Sequence, residues 1–110
     1  RRGRGLDADE TLRDMARAAI RMVSESVDAY VKRDVDMAEQ VIAEDDTVDG
    51  CFTRFKSQLI QRIASGEGDG EATLDLLMIA KYYERIGDHA TNIAEWVEFS
   101  VTGVHKTEVT

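Results

Sequence analysis

Oxygen-bearing side chains recur at helical spacing near the end of the chain: Glu84, Asp88, Asn92 and Glu95. At about 100° per residue they form one stripe along a helix, opposite its apolar seam. Glu84 and Asp88 sit one turn apart, and like charges at that spacing destabilise a helix by a few tenths of a kcal/mol. A bound cation reverses that cost, and hard cations take carboxylate and amide oxygens. Asp45 and Asp49 form a second pair one turn apart. Asp45 falls on the apolar side of its segment, in angle near Ala38, Phe52 and Ile63, with Asp49 at the edge. A buried carboxylate without a partner is expensive, so Asp45 must meet a cation, take up a proton or escape to solvent. Straight helices would hold the two pairs apart. The plain alternative is a solvated acidic face.

Other reactive constellations are missing. No Gly-rich phosphate loop with Lys and Ser or Thr occurs, and no serine lies near a convincing acid–histidine partner. His89 points away from the acidic stripe, which makes it a surface residue. Neither His89 nor His105 has a glutamate three residues before it, as ferritin-type di-iron sites require. Enzyme activity therefore has no positive support. Gly87, inside the acidic stretch, costs a helix roughly 1 kcal/mol relative to alanine, which fits a close approach there as well as simple tolerance. Cys51 is the sole cysteine, so no intrachain disulfide forms, and it reads as a small buried hydrophobe.

Helices must position these residues. The chain has 110 residues, one domain's worth, with 43% hydrophobic and 33% charged residues and no proline. Asp plus Glu number 22 against 14 Lys plus Arg, a net charge of −8 that disfavours nucleic acid and anionic membranes. Apolar residues step by three and four at Leu12, Met15, Ala19, Met22, Ser26 and Ala29. A second series runs through Ala38, Val41, Ile42, Val48, Phe52, Phe55, Leu59 and Ile63, opened by a capping box of Asp36 and Glu39. The Gly-rich stretch 65–70 breaks it. A third helix over about 71–101 places its seam at Leu76, Ile79, Tyr83, Ile86, Ala90, Ile93 and Val97, and Gly103 ends it. The expectation is an all-α, antiparallel up-down-up three-helix bundle over 9–103. A basic linker or remnant (1–8) precedes it and a tail (104–110) follows. No apolar run is long enough for a membrane span or a signal peptide, so a cytoplasmic protein is expected.

Tyr82-Tyr83-Glu84-Arg85-Ile86-Gly87-Asp88-His89-Ala90-Thr91-Asn92-Ile93-Ala94-Glu95 resembles the signature of the PhoU family of phosphate-response regulators. Upstream, Arg33-Asp34-Val35-Asp36-Met37-Ala38, Val41-Ile42 and Asp45-Asp46-Thr47-Val48-Asp49 are similar to the helix that opens a PhoU repeat. The resemblance covers about residues 10–105 and implies one three-helix repeat, the C-terminal half of a two-repeat protein or a single-repeat relative. It implies multinuclear metal binding, by Fe or Zn first and Mn or Mg as alternatives, at Glu84 with Asp88 and Asp45 with Asp49, with Asn92 an added ligand. It further implies a cytoplasmic negative regulator of phosphate uptake and the starvation response. Such a regulator contacts the phosphate ABC transporter ATPase and a sensor histidine kinase, and pairs as a homodimer or with a second repeat. A bundle with an inert acidic face, or a metal-dependent hydrolase, are the alternatives.

Overall fold

The computed structural model describes residues 4–103, which form three helices: α1 (Arg4–Lys32), α2 (Val35–Ala64) and α3 (Gly70–Thr102). Each helix packs against both others, giving a rod of 53 × 27 × 17 Å. Helices of 29, 30 and 33 residues joined by connections this short can only run antiparallel. The described residues contain no strand. Residues 4–8 of the expected linker are the start of α1, while residues 1–3 and the expected tail, 104–110, lie outside the described residues.

The α1–α2 turn uses two residues. Arg33 takes a left-handed conformation (φ 54°), and the Asp34 N–H donates to the Ala29 carbonyl at 2.9 Å, which closes the last turn of α1. Asp34 is then extended, and its side chain accepts from the Met37 N–H at 3.1 Å. The cap of α2 is therefore Asp34, not the expected Asp36, which lies inside the first turn. The tight turn leaves Asp34 as the last non-helical residue, and only that residue can cap. Between α2 and α3, Gly66 and Gly68 take positive φ (79° and 82°), and Asp69 caps α3 by accepting from Glu71 N–H at 3.3 Å. Gly103 (φ 81°) closes α3 as expected, its N–H donating to Phe99 O at 2.7 Å.

The core joins Met15, Ala18, Met22 and Ala29 of α1 to Val41, Val48, Cys51, Phe55 and Leu59 of α2. From α3 come Ala80, Gly87, Ala90, Ala94 and Val97, with Thr73 and Glu98 also buried. Here the expected seam is corrected. Ile79 and Ile93 are 41% and 38% exposed, and Ile63 of α2 is 57% exposed. The buried face of α3 is rotated roughly 80° from the isoleucine stripe, at about 100° per residue. Small side chains let α3 approach both neighbours closely, and the bulky β-branched ones are left on the flank.

Candidate metal centre

That rotation decides where the acids go. Glu84, part-buried, and Asp88, still exposed, lie on the flank of α3 that faces α2. Asp45 and Asp49 face them there, because their helix is held close by the α3 alanines and Gly87. A Cβ at Gly87 would lie 3.5 Å from Asp45 Oδ1, 3.6 Å from Met22 Sδ and 3.7 Å from Val48 Cγ1. The mid-helix glycine therefore marks a close approach of all three helices, beside the acid cluster.

Asp45, Asp49 and Asp88 each bring one carboxylate oxygen to within 4.8 Å of the other two. Asp45 is half-buried, and its Oδ1 is fully enclosed with no hydrogen-bond partner. Burial raises its pKa first, then the charges of Asp88 and Asp46. The adjacent Thr91 hydroxyl, which donates to the Gly87 carbonyl at 3.0 Å, offsets part of this. The Asp49 carboxyl is pushed up to about 6 by partial desolvation, then by the charge of Asp45 and a hydrogen bond shared with Glu84. Glu84 borders the cluster, and its Oε1 accepts from Lys81 Nζ at 2.9 Å. Lys81 at i−3 and Thr91 at i+3 of these acids were legible from spacing but were not singled out in the sequence.

The residues fit a cation. Oxygens bound to one hard cation at about 2.0–2.6 Å lie at most about 4–5 Å apart, which is the spacing present here. A positive charge would also relieve the repulsion that raises both aspartates and would supply the partner Asp45 Oδ1 lacks. Asn92 lies one turn beyond Asp88 on α3. It is exposed and lines an apolar groove with Val27 and Tyr30 of α1 and Ile93 and Trp96 of α3. His89 is exposed.

A family model described as the PhoU domain matches residues 12–97. The chain belongs to the PhoU family. Its relatives include three described as phosphate-specific transport system accessory protein PhoU homologues. That of Zymomonas mobilis is 42% identical over 89 residues, spanning 81% of this chain and 38% of the relative. The homologue of Clostridium acetobutylicum is 35% identical over 82 residues, spanning 74% and 37%. Homologue 1 of Thermotoga maritima is 33% identical over 97 residues, spanning 88% and 42%. This PhoU-family chain thus spans about two fifths of the length of these relatives. No solved structure matches it significantly. Among the described residues, no helix is long and apolar enough to cross a membrane.

Proposed function

We propose that this PhoU-family chain is a cytoplasmic regulatory module of phosphate uptake that works by binding, not by turnover. In this reading Asp45, Asp49 and Asp88 hold a cation, and Glu84 extends the site toward a second ion. Fe and Zn are the first choices and Mn or Mg the alternatives, all of which accept carboxylates. The loaded α2–α3 surface then docks on the phosphate ABC transporter ATPase and a sensor histidine kinase, restraining the starvation response. The module pairs with a second repeat or with its own copy. The observation that supports the metal assignment is the enclosed, unpartnered Asp45 Oδ1, with Asp49 beside it on α2 and Asp88 across the α2–α3 interface. The relatives described as accessory proteins of phosphate transport support the regulatory role.

Metal analysis of purified protein tests the site. The parent is expected to carry metal that a Glu84→Ala/Asp88→Ala variant loses while staying helical, and full retention by the variant overturns the assignment. For the partners, affinity capture from phosphate-replete cells is expected to recover the transporter ATPase or the sensor kinase, and recovery of neither counts against the docking role.

A further inference from the structure

The side of α2 turned away from the acids borders a groove lined by cations of two helices. Thr47, Gly50 and Arg54 lie roughly 140–200° around the helix from Asp45. They face Arg17 and Arg21 of α1 across an open groove of about 560 Å³. Three guanidiniums thus share one groove in a chain of net charge −8. Asp14, the acid of the lining, is 3.5 Å from Arg17, and Arg21 pairs with Glu44 of α2. Arg54 donates to Cys51 Sγ at 3.8 Å and has no carboxylate partner among the described residues. Arg17 and Arg21 sit one turn apart on α1 with a carboxylate each, which leaves Arg54 as the guanidinium of the groove that no carboxylate of the described residues engages.

Gly50 is the second observation. It lies inside α2, where glycine weakens a helix relative to alanine. Unlike Gly87, it has no close neighbour to account for it, since a Cβ built there meets nothing within 4 Å. Its effect is to keep the wall of the groove bare between Thr47 and Arg54. A carboxylate offers two oxygens whose acceptor sites lie in one plane. A phosphoryl group offers three oxygens, and orthophosphate four, in different directions, so forks arriving from two helices can bind it together.

We propose that this groove binds a phosphate-class oxyanion, either free orthophosphate or the terminal phosphoryl group of a larger molecule, through Arg17, Arg21 and Arg54. Thr47 adds a hydroxyl donor. The groove lies between α1 and α2 and the acid cluster between α2 and α3, so the inference stands apart from the metal reading.

Titration calorimetry at low salt tests it, with orthophosphate and with ATP as probes. Chelator-treated protein is used, so that no ion at the acid cluster can recruit phosphate. Binding of at least one probe is expected, weakened about tenfold or more by Arg54→Gln. Gly50→Leu, which fills the groove while favouring the helix, is expected to abolish it. Arg85→Gln, on α3 outside the groove, is expected to bind like the parent, with melting curves showing that each variant is folded. Orthophosphate binding identifies the free ion as sufficient, and binding of ATP alone identifies a phosphoryl group on a larger body. The proposal is overturned if neither probe binds at millimolar concentration. Equal weakening by Arg54→Gln and Arg85→Gln also overturns it, because net charge alone would then account for the effect.

Discussion

Replacing Asp49 by asparagine should make the metal-free protein more stable. The folded state lifts the Asp49 carboxyl from 3.8 to about 6, so it favours the proton that the unfolded chain releases. The sign follows from linkage: the contribution is favourable below the unfolded pKa and is lost as pH rises through the folded one. At pH 7 the ionised carboxylate therefore weakens the fold. A displacement of about two pH units corresponds to ~3 kcal/mol at ~1.4 kcal/mol per unit. Asp49 is exposed, and water screens such interactions strongly, which reduces the expected effect to roughly 1 kcal/mol. Asp49→Asn, isosteric and uncharged, should then melt about 4–6 °C above the parent at pH 7 in chelator. Near pH 4 the two should melt together. Saturating metal should reverse the order, since a ligand that binds only the folded state stabilises it by mass action and the variant lacks one carboxylate. Thermal melts across pH 4–8, with and without metal, provide the readout. Superimposable pH profiles of parent and variant in chelator would refute the repulsive cluster and with it the reason for a cation there.

Gly87→Ala places its methyl at ordinary contact distances of 3.5–3.7 Å, so it should gain up to ~1 kcal/mol of helix propensity and raise the melting temperature without loss of metal. Gly87→Leu must push aside Met22, Val48 and the Asp45 carboxylate, and should cost ~1–3 kcal/mol in a urea titration. Phe55→Ala empties the largest fully buried side chain and should cost about 3–5 kcal/mol, a large part of a small domain's stability. Asp34→Ala removes the acceptor for the Met37 N–H and should cost ~1 kcal/mol, whereas Asp36→Ala should cost less, a contrast measurable by paired melts.

Much of this protein was legible in its residues. Apolar steps of three and four, the absence of proline and the Gly-rich break at 65–70 were sufficient for three helices and their order. Gly103 marked the end of α3, because only a residue at ease with positive φ closes a helix that way. The same stretch of α3 that carries the family signature also named Glu84 and Asp88 as the acids to watch. Other features were misread for a single reason. Ile79 and Ile93 outweigh Ala80, Gly87 and Ala94 on any hydrophobicity scale, so the seam drawn through them kept Glu84 and Asp88 apart from Asp45 and Asp49.

The linear sequence determined which segments are helical, where they turn and which carboxylates stand one turn apart, since these depend on neighbours within a few residues. The tertiary structure decided the rotation of α3 about its own axis. That angle is set by how closely three helices can approach, which rewards small side chains over apolar ones. Through it, Asp88 and Glu84 were brought against Asp45 and Asp49, turning two separate pairs into one cluster of carboxylates.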